Sequence, residues 1–196
     1  MRNRLAILVL MELSISLNTM SAITRASHHP MRHEYVHKTY GKGAALRAGG
    51  TGTFNHLRHS PKQWGRGPAG FSKRVGSAFG THVVKNSIEY GVAGVRHEDL
   101  HYHKSTDPRF SRRLRHALVS TVVTHKTNNG KRTAATGKIS GSMGAGLISR
   151  TWQPAAMHTV GSGVSTGAIL LGGEAAANVA REFIPARHHH RRQHRG

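Results

Sequence analysis

The segment VRHEDLHYHKSTDP, residues 95–108, brings His97, Glu98, His101 and His103 close together in the chain. H-E-x-x-H is a spacing that zinc peptidases use. On a helix two histidines four residues apart share one face and both reach the metal, while the glutamate activates the bound water. A zinc-dependent metallopeptidase, with His97, His101 and His103 as metal ligands and Glu98 as the catalytic base, is therefore the alternative reading of this chain. The flanks argue against it. Gly91 and Gly94 weaken the preceding helix and Lys104-Ser105-Thr106-Asp107-Pro108 closes the window, so the motif is expected at or beyond a helix end. In extended form His97, Asp99, His101 and His103 would line one side instead, a possible cation site without the glutamate. A further ligand would have to come from Asp107, Glu174 or Glu182, and the G-x-x-H continuation of metzincins is missing. With 17 histidines in the chain such a string also arises readily by chance. The main reading is a solvated polar connection, with no catalytic residue and no cofactor.

Other catalytic chemistry finds little material. The chain has no cysteine, which removes thiol nucleophiles, thiolate zinc sites and disulfides. No G-x-S-x-G elbow occurs, and eight acids in all leave few paired carboxylates. The stretch GKGAALRAGGTGT lacks both the G-x-x-x-x-G-K-[ST] and the G-x-G-x-x-G pattern, and reads as a loop.

Charge is the stronger signal. Lysine and arginine number 29, giving a formal net charge of +21 at pH 7. Such a surplus favours polyanions: an anionic envelope surface, lipid head groups, acidic glycans or nucleic acid, although no specific nucleic-acid motif is present. Protonation of the 17 histidines would raise the sum from +21 to 21 + 17 = +38, so acid should tighten such binding. The candidate polyanion-binding residues are Arg109, Arg112, Arg113 and Arg115, at the start of an expected helix, and Arg187, Arg191, Arg192 and Arg195 in the C-terminal tail.

These residues need elements to carry them. From Pro68, suited to a first helical turn, Phe71, Val75, Phe79, Val83, Ile88, Val92 and Val95 fall at spacings of three to five and predict the buried face of a long helix. Asp107 and Pro108 predict the cap and start of a second helix, buried through Phe110, Leu114, Leu118 and Val122. Asn128-Asn129-Gly130 is a turn signal. A helix ending in that turn is expected, with a short hairpin as the rival because Val119 and Thr121 to Thr124 are β-branched. Gly137, Gly141, Ala145 and Ser149 recur every four residues, as do Ala168, Gly172, Ala176 and Ala180. Small residues at this spacing let helix backbones approach closely, within the chain or in self-association with a second copy.

The fold class expected is mainly α: a small Gly/Ala-rich helical bundle over residues 68–184, with a disordered basic Gly/His-rich linker at 27–67 and a disordered His/Arg-rich tail at 185–196. Residues 1–26 read as a secretory signal peptide. Arg2 and Arg4 precede an apolar run that is too short for a good membrane span, and small residues lead to Ala26, or alternatively Ala22.

The stretches GFSKRVGSAFGTHVVKNSIEYGVAGVRHEDLHYH, RRLRHALVSTVVT, GKISGSMGAGLISRTWQP and GGEAAANVAREFIP together resemble a family of exported bacterial proteins of unknown function, over about residues 64–185. The resemblance implies a signal peptide, a periplasmic or cell-envelope setting and a mainly helical domain, and it implies no activity. In that family's pattern the Glu98-Asp99 pair belongs to the motif and the second histidine, here His101, does not. The tails of this chain are more basic and more histidine-rich than the resemblance requires.

Overall fold

The computed structural model describes residues 29–184 and is mainly α. The chain forms α1 (His29–Tyr40), α2 (Lys42–Leu57), α3 (Pro68–Arg96) and α4 (Phe110–Val119), then a two-stranded hairpin, β1 (Val123–His125) with β2 (Arg132–Ala134), and finally α5 (Thr136–Ser149) and α6 (Val160–Phe183). The 29 residues of α3 make it the longest element, about 43 Å at 1.5 Å per residue. It is also the axis of the bundle: α2 and α5 pack along it, α6 packs along α5, and α4 packs on α6.

Several boundaries fall where the sequence predicts them. Pro68 stands at the first turn of α3, behind Gly67. The helix ends at Arg96, and His97 adopts a left-handed conformation (φ 54°) whose N–H returns to Ala93 O. Small residues do bring backbones together in α5, where Gly137, Gly141, Ala145 and Ser149 are all buried. A Cβ on Gly141 would sit 2.8 Å from Lys85 O and 2.9 Å from Glu89 Cβ, so α3 and α5 lie closer than any side chain there would allow.

Of the segment 27–67, the described residues 29–67 are not the mobile linker that composition predicts. They carry α1 and α2, and α2 buries Ala44, Ala48 and Gly52, again four residues apart, against α3. Each buries too little area to register as a hydrophobic stripe, yet together they seat one backbone on another. The buried Arg74 of α3 then fixes the return loop, donating to the carbonyls of Ser60 (2.9 Å), Pro61 (2.8 Å) and Gly65 (2.8 Å).

The buried faces of α3 and α4 also differ from the apolar stripes expected. In α3 the enclosed residues are Gly70, Arg74, Thr81, Lys85, Asn86, Glu89, Tyr90 and Ala93, whereas Phe71 and Val95 are exposed. In α4 only Ala117 is buried; Phe110 and Leu118 are exposed, as is Val122, which lies beyond the helix end. The polar side chains of α3 can be enclosed because partners reach them from other helices, as Thr39 of α1 does for Asn86 (3.1 Å). Lys85 Nζ meets Glu89 Oε2 at 2.5 Å and Glu174 Oε1 of α6 at 3.0 Å. The apolar part of the core is mostly alanine, with Tyr90 and Leu100 its only large members among the described residues, and Met31 and Tyr35 of α1 pack on them.

Two smaller differences complete the comparison. The turn at Asn128-Asn129-Gly130 closes the hairpin rather than a helix end, and Val123, Thr124 and His125 pair with Ala134, Thr133 and Arg132. Asp107 accepts from the N–H of Arg109 (2.9 Å), but α4 begins at Phe110, two residues later than Pro108 would start it.

Candidate functional site

The H-E-x-x-H segment leaves the helix before it begins. With His97 left-handed, the chain turns beneath the hairpin: Asp99 N–H donates to His125 O (2.9 Å) and Thr127 N–H to His97 O (2.8 Å). His97, Glu98 and His101 therefore share no helical face, which is the geometry that the zincin reading requires, and that reading is not carried. Glu98 is 2 % exposed and points inward. It accepts from the Thr136 hydroxyl and from Gly137 N–H (2.8 Å), so it satisfies the N-terminus of α5 where Ala135 offers no side-chain cap. Burial alone would raise its pKa; the Thr136 and Gly137 hydrogen bonds and the Arg96 guanidinium at 2.8 Å outweigh that and lower it.

The extended alternative is nearer to what the fold does, although its members bind one another. Asp99 Oδ1 contacts His101 Nδ1 (3.0 Å) and accepts from its backbone N–H (2.8 Å), while Oδ2 contacts His103 Nε2 (2.8 Å). His101 Nε2 lies 3.3 Å from Glu34 of α1, and His97 stands apart, exposed. Among the described residues no group of three or more His, Asp or Glu is arranged to hold a metal ion.

The carboxylates named as further ligands are committed elsewhere. Glu182, with its side chain fully buried, accepts from Tyr102 Oη (2.6 Å), Arg113 Nε (2.7 Å) and Ser105 N–H (3.1 Å). Burial pushes its pKa upward, but these three donors and the Arg113 charge prevail and hold it at about 2. Glu174 belongs to the buried Lys85 pair and Asp107 pairs with Arg112 at 3.1 Å. Near the first of these, Lys138 of α5 is also buried, and desolvation lowers its pKa against the pull of Glu89 and Glu174.

Together these pairs give the exterior one sign. Of the acids, Glu12 lies outside the described residues, and Glu34, Glu89, Glu98, Asp99, Asp107, Glu174 and Glu182 are all buried or half-buried and all engaged. The exposed charges are bases, among them Lys42, Arg47, Arg58, Lys62, Arg66 and Lys73 in residues 42–73, and Lys104, Arg109, Arg112, Arg115, Lys131 and Arg132 in residues 104–132. Of the four arginines singled out in α4 and its cap, Arg109, Arg112 and Arg115 face solvent, whereas Arg113 is taken by Glu182 and by the ring of Phe183, 4.9 Å away. The tail arginines Arg187, Arg191, Arg192 and Arg195, and the signal-peptide reading of residues 1–26, lie outside the described residues. Sequence reasoning missed Arg74, Lys85, Glu89 and Lys138 as interior charges, because no local pattern announces a partner that arrives from another helix.

Comparison of the chain with protein families, with curated proteins and with solved structures found no match.

Proposed function

We propose that the protein is exported and acts without catalysis, by binding an anionic surface of the cell envelope or another polyanion through its exposed arginines and lysines. One observation carries the reading: every described acid is buried or half-buried and engaged, and although Lys38, Arg96 and Arg112 are paired in this way, most of the exposed bases have no acid beside them among the described residues. A surface of one sign gathers polyanions through many contacts and releases their counterions on binding. The charged N-terminus followed by an apolar run, and the resemblance to exported bacterial proteins, support the setting.

The test is a salt titration of binding to heparin and to vesicles containing phosphatidylglycerol. A saturable complex is expected whose log affinity falls linearly with log salt. Arg109→Ala/Arg112→Ala/Arg115→Ala should weaken it by about thirtyfold, roughly 1 kcal/mol for each of Arg109 and Arg115 with Arg112 screened by Asp107, with an unchanged circular dichroism spectrum. Absence of a saturable complex with either ligand at low salt would overturn the proposal.

A further inference from the structure

The fold leaves an apolar patch uncovered where the end of α6 meets the start of α4. Phe110 stacks on Phe183 with ring centroids 4.8 Å apart, and Phe110 and Ile184 remain 66 % and 62 % exposed. Scattered apolar residues on a surface need no explanation, but a cluster rimmed by one kind of polar group does. The rim here is basic. Lys104 Nζ donates to Ile184 O (2.9 Å), exposed Arg109 adjoins Phe110 in the chain, and Arg112 follows one turn on. Both nearby acids are occupied, Asp107 by Arg112 and the Arg109 N–H, Glu182 by Tyr102, Ser105 and Arg113. From Ile184 the chain runs directly into PARHHHRRQHRG, with Arg187, Arg191, Arg192 and Arg195.

We propose that this patch docks the protein on an anionic lipid bilayer: Phe110 and Ile184 enter the boundary between head groups and acyl chains, while Lys104 and Arg109 meet lipid phosphates. The proposal rests on the polyanion-binding reading above and names the partner and the face. Among lipid, nucleic acid and soluble acidic glycan, the chemistry selects the bilayer because it uses both halves of the patch. A few apolar side chains hold a surface weakly and so do a few bases, whereas the two together give stable peripheral binding. A nucleic acid or a soluble acidic glycan would engage the bases and leave Phe110 and Ile184 in water.

The experiment compares the full chain with Phe110→Ser/Ile184→Ser in co-sedimentation with phosphatidylcholine vesicles, with and without phosphatidylglycerol, and in binding to heparin. Both positions are largely solvent-facing, so the variant should fold; if circular dichroism shows otherwise, Ile184→Ser alone is used. Wild type should bind only the anionic vesicles, and the variant should bind them about tenfold more weakly, the loss expected from two partly inserted side chains, with heparin binding unchanged. Equal vesicle binding by wild type and variant, or wild type that binds heparin and no vesicle, would overturn the lipid-docking patch and leave the polyanion reading standing. Wild type that binds neither ligand would overturn both.

Discussion

Glu182 shows how much of this molecule depends on single buried charges. Its carboxylate gathers the 102–105 segment, α4 through Arg113, and the end of α6, so three elements converge on two oxygen atoms. Glu182→Gln would leave Arg113 facing a neutral amide and misplace a donor toward Tyr102 or Ser105. A loss of about 2–3 kcal/mol in urea unfolding is expected, less than for a fully buried pair because Arg113 keeps some contact with water. The pH dependence has a definite sign. Since the folded carboxyl is depressed to about 2 and the unfolded one titrates near 4.3, its contribution is fully present above about pH 4.3 and fades as pH falls toward 2. The variant should therefore show a shallower acid limb than wild type. His97 makes the opposite case. It occupies a left-handed conformation at the end of α3 with its side chain exposed, so His97→Gly removes a backbone cost and should raise stability by about 0.5–1 kcal/mol in thermal unfolding. A metal ligand at this position would respond in the other direction, with loss of bound zinc. The helix end at His97 was legible from Gly91 and Gly94, whereas the role of Glu98 was not, because it serves a helix that begins 38 residues later.

At the scale of elements, glycine carries two opposite meanings within α5 and α6, and substitution separates them. A Cβ on Gly146 would lie 2.9 Å from Gly167 Cα and nearer still to the Gly163 carbonyl, so Gly146→Ala must push α5 away from α6 and should cost about 3 kcal/mol or more. Gly172 sits inside α6 with nothing within 4 Å of the place a Cβ would occupy, and Gly172→Ala should add about 0.5–1 kcal/mol through helix propensity alone. Chemical denaturation of the two variants checks both signs, and equal effects would mean that the α5–α6 approach is not as close as described. The same pair shows what sequence could and could not reveal. The four-residue spacing of Gly137, Gly141, Ala145 and Ser149 identified a true contact face. The identical spacing of Ala168, Gly172, Ala176 and Ala180 did not, for all four are exposed and the close approach uses Gly163 and Gly167 instead. Spacing states which residues share a face and is silent on which way that face turns. The apolar stripe of α3 failed for a related reason. The spacing of apolar residues says nothing of Lys85 and Glu89, whose burial is made tolerable by Glu174, 89 residues from Lys85. The helix start marked by Pro68 and the stop in the region of His97 were legible because those signals act locally.

For the whole molecule, the summed charge was legible in composition, while its division into a paired interior and an unpaired exterior was not, since that depends on which helix meets which. The division predicts how binding and folding separate as pH falls. A chain with 17 histidines gains positive charge as pH falls through the imidazole range. The acids change little across that range, because Glu34, Glu98, Asp99, Asp107, Glu174 and Glu182 all have pKa values held below the ordinary carboxylate range. Their stabilisation is present above about pH 4 and is lost only as pH drops through their depressed folded values. His82 works against folding earlier. Burial lowers its pKa, so the unfolded chain takes up its proton first and stability declines modestly below about pH 6.5. Heparin affinity should accordingly rise on acidification to pH 5.5, seen as elution at higher salt, while circular dichroism reports an intact fold; cooperative unfolding should follow only below about pH 4. Elution at the same salt at both pH values, with the fold intact, would mean that the histidines stand away from the binding surface and that the lysines and arginines alone determine it.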